Sequence, residues 1–140
     1  MLDKIDIMLD EGAYMPERAY DTDAGLDLRS PVRQWVFRGD SATIDTGVHI
    51  NIPKGYVGML KSKSGLNVKR GLIGEGVVDA AYTGSIKCKL YNLSHANYLI
   101  GQGDKIIQLV IMPIETPELN LVTEFPETER GNQGFGSTGV

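Results

Sequence analysis

Ile86-Lys87-Cys88-Lys89-Leu90 alternates apolar and cationic side chains with a period of two, the repeat of a strand with one face buried and the other in water. The same alternation recurs in Val48-His49-Ile50-Asn51-Ile52 and in Ile5-Asp6-Ile7. Between such runs stand Gly12, Pro16, Gly25, Pro31, Gly39, Gly47, Pro53, Gly58, Gly65 and Gly71. Turn formers so closely spaced leave room for many short strands and little helix, so the pattern predicts an all-β sandwich or barrel. Cys88 shares the apolar side of its run with Ile86 and Leu90, which predicts a buried thiol rather than a nucleophile. One stretch breaks the period: Ser64-Gly65-Leu66-Asn67-Val68-Lys69-Arg70-Gly71. It predicts one short helix, with Ser64 as its cap, basic residues in its last turn and Gly71 as its left-handed stop.

Composition bounds the rest. A chain of 140 residues is one domain with one ordinary core. Its 41% hydrophobic and 23% charged residues exclude disorder throughout. A net charge of −4 argues against nucleic-acid binding, which draws its affinity from a basic surface, although a local cluster of cations can still hold a phosphorylated small molecule. Cys88 is the one cysteine, so no intrachain disulfide forms. With His49 and His95 the only histidines, a tetrahedral zinc site of Cys and His ligands is disfavoured, and with it a zinc-dependent nucleobase deaminase. The acidic start, Met1-Leu2-Asp3-Lys4-Ile5-Asp6, is unlike a signal peptide. The run Ile106 to Ile114, broken by Gln108 and Pro113, is too short to cross a bilayer. A cytoplasmic protein without a membrane partner is expected.

Four segments carry candidate chemistry, each with a plain alternative. The tail Arg130-Gly131-Asn132-Gln133-Gly134-Phe135-Gly136-Ser137-Thr138-Gly139 is too rich in glycine to build a core. It reads either as a frayed terminus or as a mobile arm, in which Arg130 binds phosphate and Phe135 stacks on a flat base. Composition does not choose between them. Lys61-Ser62-Lys63-Ser64-Gly65-Leu66 is either a solvated charged loop or an anion site at a helix start. In Gly76-Val77-Val78-Asp79-Ala80-Ala81-Tyr82-Thr83-Gly84, Asp79 is either a turn former or a catalytic acid. Asp27, within Ala24-Gly25-Leu26-Asp27-Leu28-Arg29-Ser30, sits in an apolar setting that requires a partner, an arginine or a metal with its waters. Gln108 interrupts an apolar strand and needs a partner for its amide.

In chain order, Ala24 to Ser30, Lys63-Ser64-Gly65-Leu66, Gly76 to Gly84, Gly103-Asp104-Lys105-Ile106-Ile107-Gln108-Leu109 and Arg130 to Gly139 resemble the five motifs of the trimeric dUTP pyrophosphatase (dUTPase) family. The resemblance runs from about Lys4 to the C-terminus. It implies a jelly-roll-like subunit with a core over residues 1–129 and a flexible arm over residues 130–140 that closes on a neighbour, in a homotrimer with shared active sites. The implied reaction is magnesium-dependent hydrolysis of dUTP to dUMP and pyrophosphate, which keeps uracil out of DNA and supplies dUMP for dTMP synthesis. One chain would supply Asp27, Lys63, Ser64, Gly65 and Gln108. A second would supply a hairpin from Ile73 to Tyr82, whose backbone at Gly76, Val77 and Val78 reads uracil while Tyr82 packs on the deoxyribose. Lys87 is implied as a further substrate contact. A third chain would bring Arg130 to the γ-phosphate and Phe135 over uracil, with Gly136 and Ser137 holding oxygens. Asp79 would activate the attacking water, and Asp27 would assist Mg2+ through bound waters.

Three departures from the family pattern stand out. Lys63 takes the place of an arginine, so a point charge replaces a bidentate contact. Ala81 takes the place of an acid, and Thr83 that of a longer, often basic residue. They bear on phosphate binding and trimer contacts rather than on the reaction. dCTP deaminase shares the implied fold without zinc, but Asp79-x-x-Tyr82 and the glycine-rich arm resemble the pyrophosphatase branch. A silent nucleotide-binding trimer would have no requirement for Asp79, Gln108 and the whole arm together.

Overall fold

β8 (Ser85–Asn92) turns Ile86, Cys88, Leu90 and Asn92 inward and Lys87, Lys89 and Tyr91 outward, as the period of two predicts. It anchors one of two four-stranded antiparallel sheets in a computed structural model that describes residues 1–139. The other strands are β1 (Asp6–Leu9), β2 (Gly25–Arg29), β3 (Gln34–Val36), β4 (Ser41–Asn51), β5 (Tyr56–Ser62), β6 (Leu72–Ile73), β7 (Glu75–Val78), β9 (Tyr98–Ile100) and β10 (Lys105–Pro113). One sheet runs β1-β4-β8-β6, the second β2-β10-β5-β7, and β3-β9 form a small ribbon. Leu28, Ile44, Val48, Ile50, Leu60, Cys88, Leu90, Ile107 and Leu109 from both sheets make one core. This is the all-β sandwich that the alternation predicts, with the jelly-roll-like form that the resemblance implies. Among the described residues no helix is long and apolar enough to cross a membrane.

The core tolerates polar side chains only where each has partners. Asn92, fully buried, donates from Nδ2 to the carbonyls of Val36 and Ala96, both at 2.9 Å, and accepts from Ser94 N and Oγ at 3.0 and 2.7 Å. Thr46 donates to Ile86 O at 2.6 Å. Burial pushes the Cys88 thiol up to about 12, so it stays protonated and inert at neutral pH.

The one helix, α1 (Ser64–Arg70), ends as predicted, with Lys69 and Arg70 in its last turn and Gly71 at φ 68°. Its start differs from expectation. Lys63, not Ser64, occupies the cap position, and no side chain caps the helix: an ammonium has no acceptor to offer the helix N–H groups, and it pairs with Asp27. Several glycines that punctuate the sequence lie inside elements: Gly25 in β2, Gly47 in β4, Gly58 in β5 and Gly65 in α1. The chain leaves the sandwich at the end of β10. From Met112 to Gly139 every residue is exposed except the half-buried Gly134, well ahead of the glycine-rich arm that starts at Arg130; the arm's last residue, Val140, lies outside the described residues.

Candidate active site

β10 sits between β2 and β5, and its register sets Gln108 opposite both Asp27 and Lys61. The Gln108 amide donates to Ser62 O at 2.9 Å, so the residue that interrupts the apolar run is satisfied by the neighbouring strand. Asp27 is 3% exposed and bound by two cations, Lys63 on one carboxylate oxygen and Lys105 on the other at 3.2 Å. Burial raises the Asp27 pKa, but hydrogen bonds and charge from Lys63 and Lys105 outweigh it, so the carboxyl is held below its ordinary 3.8. The partner that sequence reasoning required is thus a pair of lysines rather than an arginine. Lys105 is the member of this pair that the motif reading does not assign. The signal in the sequence is only a lysine immediately before the apolar pair Ile106-Ile107; that it faces Asp27 follows from the β2–β10 pairing.

The Ser62 hydroxyl donates to Gly74 O at 3.1 Å and accepts from Gly74 N at 3.0 Å. This ties the start of β7, and with it Ile73, to the end of β5. Just beyond, Ser64 and Gly65 are exposed at the helix start, and nothing lies within 4 Å of where a Gly65 side chain would begin. Lys63, Gly65, Lys69 and Lys105 line one shallow groove there. The end of β5 therefore collects Asp27, Lys63, Lys105, Gln108, Ser64 and Gly65.

The segment from Ile73 to Tyr82 is not the self-paired hairpin expected. Leu72 and Ile73 pair with β8, whereas Glu75 to Val78 pair with β5, because the chain crosses from one sheet to the other at the buried Gly74. β7 is an edge strand, and an edge strand presents unpaired backbone donors and acceptors. Gly76 is half-buried, Val77 is 60% exposed and Val78 is buried. Asp79 is exposed at the first position of a turn closed by Tyr82 N donating to Asp79 O at 3.2 Å. Ala81 in this turn has φ 67°, a left-handed geometry unfavourable for alanine. The Tyr82 hydroxyl donates to Ser85 O at 3.0 Å, and half the ring is exposed.

These two groups lie at opposite ends of the β5–β7 pair. Lys61 is opposite Glu75, and Gly58 is opposite Val78; Asp79 follows Val78 and so lies beside Val57. Along β5 that is roughly 20 Å from Lys63 at the rise of a strand. A single chain therefore keeps Asp79 apart from Ser64 and Gln108. Lys87 lies in the other sheet, exposed and opposite Asp45. Arg130, Phe135, Gly136 and Ser137 stay away from the sandwich: every hydrogen bond formed by described residues beyond Ile114 joins two tail residues, such as Arg130 Nε to Gln133 O at 2.7 Å. Phe135 is fully exposed.

Among the described residues no three His, Cys, Asp or Glu side chains converge. This donor set does not suit a metal caged by protein. It does suit magnesium, which keeps several waters and binds through one or two carboxylates together with substrate phosphates. Asp27 is anionic, but Lys63 and Lys105 engage its two oxygens, so it would hold such an ion's waters only once those lysines turn away.

A family model described as dUTPase matches residues 11–139. The deoxyuridine 5'-triphosphate nucleotidohydrolase of Mycolicibacterium gilvum is 42% identical over 95% of this chain and 92% of its own length. That of Paramecium bursaria Chlorella virus 1 is 38% identical over 93% of each chain. Among solved structures, a variant dUTPase of Staphylococcus bacteriophage 80alpha with dUpNHpp superposes with a TM-score of 0.94 at 35% identity, covering 99% of this chain and all of that one. A mutant dUTPase of S. aureus phage phi11, described as coordinating a structural Mg(II) ion, superposes at 0.84 with 35% identity over 89% of this chain.

Proposed function

The chain belongs to the dUTPase family, and from that membership we propose that it binds dUTP and hydrolyses it to dUMP and pyrophosphate with magnesium, as a cytoplasmic homotrimer with three shared sites. The observation that carries the shared site is the separation along β5: Asp79 and Tyr82 stand at one end of a strand pair, and Asp27, Lys63, Ser64 and Gln108 at the other. A site that uses both needs a second copy. The third contribution is the tail from Arg130 to Gly139, which makes no hydrogen bond to its own sandwich.

In this reading each group has a task set by its environment. Lys63 and Lys105 neutralise Asp27 in the free protein and turn toward the triphosphate when it arrives, as point charges on flexible stems. Ser64 and the open approach at Gly65 meet phosphate oxygens, where charge shifts in the transition state. The free edge of β7 at Gly76 and Val77 pairs with the uracil edge by backbone groups. Tyr82, half-exposed with its hydroxyl held by Ser85 O, packs on the deoxyribose and leaves no room for a 2′-hydroxyl. Asp79, exposed at its turn, takes the proton of the water that attacks the α-phosphorus. Magnesium bound with the substrate would offset phosphate charge, and Asp27 would be the residue that holds it, through waters. Phe135 and Arg130 cover base and γ-phosphate when the arm of residues 130–140 closes, which excludes bulk water. Lys87 has no geometric link to either end of β5 and is the weakest member of the set.

The test is pyrophosphate release from dUTP, dTTP, dCTP and UTP, with magnesium and with a chelator. Release from dUTP alone, lost with the chelator, is expected. Ammonia from dCTP instead would move the assignment to a deaminase. Asp79→Asn should lower kcat by at least about a hundred-fold while dUTP still binds; near-normal turnover would remove Asp79 from its role.

A further inference from the structure

β4 carries a bulge. Asp45 is opposite Lys87 and His49 opposite Ser85, so β4 spends two residues more than β8 over that span. Gly47, at φ 67°, makes the bend, and a side chain there would meet Ala13 Cβ at 2.9 Å. Bulges re-aim the side chains that follow them. Here the re-aimed residue is His49, which spans two elements: Nδ1 lies 2.7 Å from Thr83 O and Nε2 lies 2.9 Å from Asp10 Oδ1. Asp10 is itself fixed beside the bulge, since its N–H donates to Gly47 O at 2.9 Å.

Both partners of the ring are acceptors. A carbonyl can only accept, so Nδ1 carries a proton, and the carboxylate of Asp10 is satisfied at Nε2 only by a second one. Thr83 belongs to the loop between β7 and β8, which carries Asp79 and Tyr82. Its other tie to β4's side of the molecule is Ala81 N donating to Ile52 O at 3.1 Å. The loop is otherwise held by its own Asp79–Tyr82 turn, the Tyr82 hydroxyl on Ser85 O and Ala80 against the core, while Asp79, Ala81, Tyr82 and Thr83 are all exposed.

We propose that His49, braced by Asp10, is a positioning residue for hydrolysis: by donating to the Thr83 carbonyl it fixes the loop that presents Asp79 and Tyr82. The inference rests on the proposed role of that loop. The charged groups around the ring are Asp10 of the β1 loop and Asp45 of its own strand, with Lys87 of β8 opposite Asp45; Asp6 of β1 lines the same groove. The Thr83 carbonyl first, and then Asp10, raise the His49 pKa above 6.5. A raised histidine contributes fully below its unfolded value, and the contribution is lost as pH rises through the higher folded one. The tether is therefore strongest in mildly acidic solution.

The experiment measures kcat and KM for dUTP from about pH 6 to 9 in wild type, His49→Ala, His49→Gln, Asp10→Asn and Asp79→Asn. His49→Ala should lower kcat about five-fold at the acidic end, the loss of one oriented hydrogen bond, with KM changed by less. The gap should narrow as the histidine deprotonates. His49→Gln, whose amide can still donate to Thr83 O, should recover part of the loss. Asp10→Asn should move the inflection to lower pH. Wild-type kcat in His49→Ala across the range overturns the proposal. If that variant does not fold, an inflection unmoved in Asp10→Asn overturns it instead. Normal turnover of Asp79→Asn would mean that the loop's role has failed, whereas its collapse beside an unaffected His49→Ala would mean that only the tether has.

Discussion

Gly25→Ala tests whether the site's geometry is set by close packing between β2 and β10. A Cβ at Gly25 would stand 2.2 Å from Gln108 Oε1, 2.9 Å from Gln108 Cβ and 3.0 Å from its Cδ. The backbone at Gly25 is not left-handed, so alanine itself is tolerated there and would gain roughly 0.5 kcal/mol from the unfolded chain. Against this, the Gln108 amide must leave Ser62 O, a loss of about 1 kcal/mol. The remaining contact at 2.9 Å needs the strands to give, at about 1–3 kcal/mol. The net expectation is a destabilisation of about 2 kcal/mol, with weaker dUTP binding because Gln108 is displaced. Urea unfolding followed through the single tryptophan, Trp35, measures the first, at one protein concentration because an assembled chain's stability depends on it. The double variant Gly25→Ala, Gln108→Ala decides the cause. Without the amide the worst overlap is gone, so the pair should be about 1 kcal/mol more stable than the sum of the single effects. Simple additivity, or a neutral Gly25→Ala, would refute the packing argument.

Two further outcomes follow from burial and charge. Cys88, fully buried with its thiol pushed up to about 12, should resist a thiol reagent at about pH 8 until the protein is unfolded; fast labelling of folded protein would place the thiol in solvent. Asp27 is held below its ordinary 3.8. The stability it contributes should be present above that value and be lost as pH falls through its lower folded one. The deficit of Asp27→Asn at neutral pH should accordingly shrink in acid, and a deficit constant with pH would contradict the lysine pairing.

The fold was largely legible in the chain, because a sheet with one wet face imposes its period of two on the sequence. β8 shows it residue by residue, and Gly71 stops α1 where a left-handed residue was expected. The motif segments were legible as well, since local residue types such as Gly76-Val77-Val78-Asp79 travel together along the chain. What local pattern does not hold is register between distant strands. Ile106 and Ile107 are both buried, against the alternation, because β10 bulges between Lys105 and Ile107. Gly58 looks like a turn former, but it lies within β5 where Ile52, Leu109 and Val78 crowd it. Lys63 and Lys105, remote in sequence, meet on Asp27. The roughly 20 Å between Asp79 and Lys63 along β5, and the meeting of His49 with Thr83, are likewise products of strand pairing. Side-chain period is a property of neighbours in the chain, whereas the distance between two functional groups is fixed only once the strands that carry them are hydrogen-bonded in one register.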